Sequence, residues 1–246
     1  MRATIYPDTL DEPTWDTRLL WASLFASLAV FAKVPNLDLW VSERYFVTGQ
    51  GFVGATLPWV AWLHHWVPSI GYGLLAAAAL FLMLLPWFKR MAATGSHLSM
   101  ATLLHAKRSA VAGLLAAGLC SGLIVHVGLK ELVGRPRPVE TVAFGGSAPF
   151  VPVFQRGDHP NLHKSFVSGH ATTAFLLMGL GLVCTPRWRL RWLLIGTVAG
   201  SLVGLARVMQ GAHYLGDVVF AFHAVWLSCE AVAWFMGRPA INRWLQ

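Results

Sequence analysis

Six stretches of this sequence are apolar for long enough to cross a bilayer, which takes about 20 mostly apolar residues. They lie near Leu19–Val34, Ser69–Phe88, Ser109–Leu129, His170–Cys184, Trp192–Ala206 and Val218–Phe235. The first is short and borrows residues at either end. Between the first two, Gly51–Val67 holds several Trp, Pro58 and the pair His64-His65. Trp favours the headgroup zone, so this stretch reads as interfacial; its two histidines and its proline argue against a seventh span. Val139–His163, with Gly, Pro and polar residues, is the longest segment between spans and reads as an external loop. There is no tandem repeat, low-complexity tract or soluble second domain. The expected architecture is all-α: one integral membrane domain over residues 1–246, a bundle of six transmembrane helices, with its polar motifs confined to 109–236.

Composition strengthens that reading. Of 246 residues, 56% are hydrophobic and only 12% are charged. Soluble domains carry about twice that charged share. Mean hydropathy is +0.56. The formal net charge is +8, which in a membrane chain concerns orientation and anionic lipid before nucleic acid. With six spans, the loops on the side of the N-terminus carry eleven Lys and Arg and the opposite loops carry eight. The positive-inside rule then puts both termini in the cytoplasm by a narrow margin. The margin is narrow because the outer group includes cations suited to chemistry. Cys120, Cys184 and Cys229 all fall in apolar runs and read as packing residues, with neither a disulfide framework nor zinc spacing. The first 18 residues carry Asp8, Asp11, Glu12 and Asp16 and no apolar core. No cleavable signal peptide is expected, and targeting falls to the first span.

Three clusters stand out on the predicted outer side. In "KELVGRPRP", Lys130 ends the third span, and Arg135 and Arg137 each have a proline beside them, which holds the backbone extended. In "KSFVSGHATTAF", Ser168-Gly169-His170 opens an apolar helix. Ser is a favoured N-cap, Gly admits a close ligand, and the first helical N–H groups form an anion site beside a possible proton donor. In "ARVMQGAHYLGD", His213 and Asp217 are four apart. On a helix they share a face, so Asp217 can hold one imidazole nitrogen and leave the other free to attack. Each cluster alone has an ordinary reading: anchoring charge, a capped helix, a structural His–Asp pair beside a snorkelling Arg207. Together they supply Lys130, Arg137 and Arg207, a helix N-terminus and two histidines on one side of a membrane. Such charge is expensive near hydrocarbon without a partner, and a tetrahedral dianion matches the set.

The order Lys-x6-Arg-Pro, Ser-Gly-His, Arg-x5-His-x3-Asp resembles the type 2 phosphatidic acid phosphatase superfamily, over Lys130 to Asp217. That family includes membrane lipid phosphatases, glucose-6-phosphatase, bacterial acid phosphatases and vanadium haloperoxidases; the helix order here fits its six-span membrane branch. Two positions depart: Val167 stands where the family has Pro, and Ala206 where it has Ser. Neither change removes a charge or a histidine.

The resemblance implies His213 as nucleophile, forming a phosphohistidine, with Asp217 orienting it. It implies His170 as the acid that protonates the leaving group and then the base that activates water. Lys130, Arg137, Arg207 and the N–H groups around Ser168, Gly169 and His170 would hold the phosphate oxygens. The scheme needs no metal and no cofactor. His159 and His163 are four apart, but Pro160 breaks a regular helix there and only Asp158 is near to complete a ligand set. Arg135 and Lys164 lie beside the motifs as headgroup attractors or plain surface charge. Glu230 sits toward the cytoplasmic end of the last span, outside the site.

Catalytic groups at helix ends suit a lipid whose phosphate enters at headgroup level. The expected enzyme is a lipid phosphatase of a bacterial inner membrane, its site facing the periplasm and its oligomeric default a monomer. Its expected substrate is an envelope lipid such as lipid A, undecaprenyl diphosphate or phosphatidylglycerol phosphate. Phosphatidic acid is a further candidate. The loop Val139–His163 and the Trp-rich stretch are expected to shape the headgroup pocket. A phosphotransferase using the same phosphohistidine, and an anion transporter, are the alternatives.

Overall fold

The computed structural model describes residues 15–94, 99–159, 162–182, 186–238 and 241. Cys184, Arg2, Arg243 and the acidic Asp8, Asp11 and Glu12 fall outside them. Helix α1 (Trp15–Lys33) and the short α2 (Leu37–Glu43) meet at 86° across a break that holds Pro35. A two-residue hairpin follows, β1 (Phe46–Val47) antiparallel to β2 (Gly51–Phe52). Helix α3 (Pro58–Ala93) is 36 residues long. Its first residue is a proline, whose missing N–H would have no helical partner at that position. The interfacial stretch expected at Gly51–Val67 is therefore divided: its start belongs to the hairpin, and from Pro58 on it is the N-terminal end of α3.

Helix α4 (Met100–Ala117) continues to Leu129 with wider, π-type hydrogen bonding, and α5 (Lys130–Val133) ends it. Helix α6 (Gly169–Phe175) runs into tighter 3-10 turns over Leu176–Gly181. Helices α7 (Pro186–Met209) and α8 (Leu215–Gly237) complete the bundle. Among the described residues, four helices are long and apolar enough to cross a membrane, and a bent α1–α2 pair would make five. The segment expected as a span at His170–Cys184 does not qualify as one regular helix. Its 3-10 portion rises about 2.0 Å per residue rather than 1.5, so it reaches deeper than its residue count implies.

Exposed tryptophans mark two levels. Trp59, Trp62 and Trp66 lie near one end of α3, and Trp87 lies near the other. Trp66 and Trp87 are 21 positions apart, about 32 Å along a helix, against about 30 Å of hydrocarbon. Indole rings prefer these interfaces, and α3 buries none of its most apolar window against protein. His64 stands two residues before Trp66, toward the N-terminal end of α3.

The core gathers around α8, which buries thirteen residues and has 56% of its most apolar window enclosed. Ala112, Ala116 and Cys120 meet Ala171 and Phe175 from α6, Met178 from the 3-10 turns after it, and Ala221, Val225 and Cys229 from α8. Cys120 and Cys229 are buried thiols, in keeping with a packing role. Helix α7 fits because it is small on one face: a Cβ on Gly200 would overlap the Phe175 ring, and one on Gly204 would overlap Val218. Outside the membrane zone, Phe52, Phe144 and Tyr214 form a second cluster that pins the hairpin and the outer loop together. Glu230 accepts from Arg189 at 2.6 Å, at the end of the bundle far from the polar motifs.

Candidate active site

The site is built on one buried ion cluster. Gly134 adopts the left-handed conformation (φ 63°) that ends α5, and this turns the next residue, Arg135, inward. Arg135 is fully buried. It donates from Nε to the Val151 carbonyl at 2.8 Å, from Nη1 to Asp217 Oδ1 at 2.6 Å and from Nη2 to Asp38 Oδ2 at 2.5 Å. Its guanidinium also lies over the Tyr214 ring, 4.3 Å from the centroid. Burial alone would lower its pKa, but Asp217 and Asp38 outweigh burial and the net shift is upward, so it stays charged. The expectation of a headgroup attractor at the surface is thus overturned for Arg135: it is the bolt that joins α2, the outer loop and α8. Asp38 completes the joint, its Oδ1 accepting from the Gly216 N–H at 2.7 Å. No local motif marks Asp38, which meets Arg135 only through the fold.

Asp217 uses its other oxygen on the turn before α8. Oδ2 accepts from Ser165 Oγ at 2.5 Å, from the Tyr214 N–H at 2.9 Å and from His213 Nδ1 at 3.4 Å. His213 precedes the helix and Asp217 is in its first turn, with Tyr214 as N-cap. The pairing expected from the spacing is present, but as a capping arrangement rather than two residues on one helical face. A carboxylate acceptor requires the proton on Nδ1, which leaves the Nε2 lone pair of His213 available. The ring is 3% exposed. Burial is the main cause of its lowered pKa; Asp217 opposes it, and the charges of Arg207 and Arg137 add to it. The net shift favours the neutral ring.

Ser168 caps α6, accepting from the Ala171 N–H at 3.4 Å, and its own N–H is held by the Asp217 carbonyl at 3.1 Å. The Ser-Gly-His segment is thereby fixed against the start of α8. A Cβ at Gly169 would lie 3.3 Å from Lys130 Nζ, so the missing side chain lets the ammonium sit over the backbone at the mouth of α6. Val167 and Ala206, the two departures from the family pattern, are both buried and fill apolar space.

Arg207 is 7% exposed near the end of α7. Its Nη1 lies 2.7 Å from His64 Nδ1 and also donates to Gln210 Oε1, while its buried Nε has no partner among the described residues. An open donor on a buried guanidinium is what a phosphate oxygen satisfies. Arg137 has the expected extended backbone (φ −78°, ψ 158°) and an exposed side chain whose charge reaches His213. His170 lies within electrostatic reach of Arg207, His64 and His213. The structure thus brings together His213, Asp217, Ser168, Gly169, His170, Lys130 and Arg207, with Arg137 at the edge. Sequence reasoning missed His64, although a histidine pair at the outer end of an apolar helix was a visible signal.

An apolar cavity of about 690 Å³ opens beside this cluster. Helix α3 lines it with Gly71, Leu75 and Ala78, α4 and its continuation with Gly113, Ala117 and Gly118, and α6 with Thr173 and Leu176. Lys130, Gly169 and His170 stand at one end and Leu180 at the other. From residue 169 to 180 is about 19 Å, counting α-helical steps to Phe175 and 3-10 steps beyond it, somewhat more than half the hydrocarbon thickness of about 30 Å. None of the lining residues comes from Val139–His163. That loop braces Arg135 through Val151 and Tyr214 through Phe150. Among the described residues, no three His, Cys, Asp or Glu are grouped to hold a metal ion; His163 lies against Glu140 at 3.0 Å.

Comparison with known proteins follows the same residues. Over 221 residues the chain is 32% identical to a lipid A 4'-phosphatase of Rhizobium etli, spanning 87% of this chain and 83% of that one. Over 222 residues it is 31% identical to the lipid A 4'-phosphatase of Rhizobium leguminosarum, spanning 87% and 91%. It is 36% identical over 118 residues to a lipid A 4'-phosphatase of Francisella tularensis subsp. novicida, a match over 53% of that relative. No solved structure matches it. The PAP2 superfamily model covers residues 110–239, which hold all three motif clusters, and the chain belongs to that superfamily.

Proposed function

We propose that this protein is a membrane lipid phosphatase that removes phosphate from a bacterial envelope lipid, lipid A first among them, without a metal and through a phosphohistidine. The observation that carries the reading is the join between two environments: a cup of imidazoles and cations that ends an apolar cavity one leaflet deep. A lipid phosphate has both halves, an anionic head and acyl chains below it. The two relatives aligned over 87% of the chain are lipid A 4'-phosphatases, so the 4'-phosphate is the first position to test.

In this reading the Nε2 lone pair of His213 attacks phosphorus and the bond from phosphorus to the lipid oxygen breaks. His170 gives that oxygen a proton. Water, relieved of a proton by His170, then attacks the phosphohistidine, and inorganic phosphate leaves as the His213 ring is restored. Lys130, Arg207, Arg137 and the N–H groups at Ser168–His170 hold the non-bridging oxygens throughout. Fixed donors of this kind each contribute about 10²–10³ in rate. The accompanying topology is six membrane passes, with α1 and the α6 segment as the two irregular ones. The termini are cytoplasmic, the site is at the periplasmic face of an inner membrane, and the working unit is a monomer.

The test is phosphate release by purified protein on lipid A, phosphatidic acid, phosphatidylglycerol phosphate and undecaprenyl diphosphate in detergent, with His213→Ala as control. Release from lipid A, lost in the control, is the expected result. Turnover that persists in His213→Ala refutes the mechanism, and transfer to an acceptor lipid without free phosphate would make the enzyme a phosphotransferase.

A further inference from the structure

Helix α3 carries Pro68 in its interior. A helical proline has no N–H to give the carbonyl four residues earlier, and here that carbonyl belongs to His64. His170 fills the vacancy: its Nε2 lies 3.2 Å from the His64 oxygen. A carbonyl can only accept, so this contact keeps a proton on Nε2 of His170 and leaves Nδ1 as the nitrogen that gives and takes the proton of the reaction. The His64 side chain makes two more contacts in the same place. Its ring stacks on His170 with centroids 4.7 Å apart and 27° between planes. Its Nδ1 accepts from Arg207 Nη1 at 2.7 Å. One turn further along, Gly71 lets α3 close onto Thr173 of α6, where a Cβ would overlap the threonine methyl. The approach of α3 to the mouth of α6 is thus fixed next to the contact.

We propose that His64 and Pro68 are positioning residues of the reaction: the carbonyl that Pro68 frees sets the tautomer and tilt of His170, and the His64 ring holds Arg207 in place. The catalytic part rests on the phosphatase reading above; the structural part does not. His170 is faced by His64 from α3, Arg207 from α7, His213 from the turn before α8, and Lys130 beside Gly169.

Three variants separate the two contacts. Pro68→Ala returns an N–H to α3 that competes for the His64 carbonyl and leaves both rings in place; losing an interior proline does not threaten the helix. His64→Ala keeps the carbonyl and removes the ring. His64→Asn returns an acceptor near the place of Nδ1. In ¹⁵N-histidine NMR of the full chain in micelles, with the signal assigned by its loss in His170→Asn, the wild type is expected to show His170 as the Nε2–H tautomer. Pro68→Ala is expected to lose that preference, with kcat down about tenfold and KM within about twofold, a part of the 10²–10⁴ that a proton donor supplies. Affinity for inorganic phosphate, read from its effect on melting, is expected to weaken about tenfold in His64→Ala, to recover most of that in His64→Asn, and to stay unchanged in Pro68→Ala. An unaltered His170 tautomer in Pro68→Ala, or unaltered phosphate affinity in His64→Ala, overturns the proposal, as does a wild type whose melting ignores phosphate. Retained turnover in His213→Ala would instead overturn the phosphatase reading, and the tautomer and affinity shifts would still decide the role of α3.

Discussion

Replacing Arg135 with methionine is the sharpest test of how the site is held. The side chain gives three hydrogen bonds, two of them to carboxylates, and Arg135, Asp38 and Asp217 are all at 0% exposure. Removing the guanidinium strands two negative charges together in the interior. Breaking a buried pair costs about 3–5 kcal/mol because the remaining charge is uncompensated. Asp38 keeps the Gly216 N–H, and Asp217 keeps Ser165 and Tyr214, which favours the lower end of that range. About 3 kcal/mol is still a large share of a typical stability of about 5–15 kcal/mol. Arg135→Lys keeps a charge but not the fork that reaches both carboxylates, so an intermediate loss is expected. The discriminating variant is Asp38→Asn combined with Arg135→Met. It leaves one stranded carboxylate rather than two, and is expected to be more stable than Arg135→Met alone. Denaturant unfolding in detergent, run as a double-mutant cycle, measures the coupling, expected at about 0.5–3 kcal/mol. Phosphate release measured alongside is expected to fall with Arg135→Met, since Asp217 loses its anchor. The reasoning fails if Arg135→Met unfolds within about 0.5 kcal/mol of wild type, or if the two substitutions simply add.

Four further outcomes follow from the geometry. The acid limb of kcat/KM is expected below the ordinary histidine value of 6.5, because burial lowers the pKa of His213 and the proposed attack needs its neutral form. Asp217 opposes that shift, so Asp217→Asn moves the limb to still lower pH while cutting the rate, as a pH–rate profile would show. Gly169→Ala sets a methyl 3.3 Å from Lys130 Nζ and is expected to slow phosphate release about tenfold or more by displacing one donor, with melting unchanged. Gly200→Ala drives a methyl into the Phe175 ring; thermal melting is expected to report about 1–3 kcal/mol of overpacking. Prolonged dialysis against a chelator is expected to leave phosphate release unchanged, and its loss would end the metal-free scheme.

Much of the site was legible along the chain because its parts lie within short segments. Lys130 to Arg137, Ser168 to His170 and Arg207 to Asp217 each keep chemistry and spacing together, so local pattern carried them. The apolar lengths of α3, α4, α7 and α8 were legible for the same reason: crossing hydrocarbon is a property of consecutive residues. The 3-10 winding of the α6 segment was not legible, because winding of that kind is set by what the segment packs on. A Cβ on Gly181 would come within 3.0 Å of Trp192 and 3.2 Å of Arg189, so α7 lies close against this turn.

What the order of residues determined was a membrane chain with three polar clusters at helix ends and a histidine set four residues before a carboxylate. What only the tertiary structure decided was who holds them. Asp38 is 97 positions from Arg135, and His64 is 143 from Arg207. Neither pair shares a motif, because a buried charge needs a partner in space and is indifferent to separation along the chain. The same holds for Arg135, whose sequence context fits a surface cation equally well; burial alone turned it into the bolt of the site.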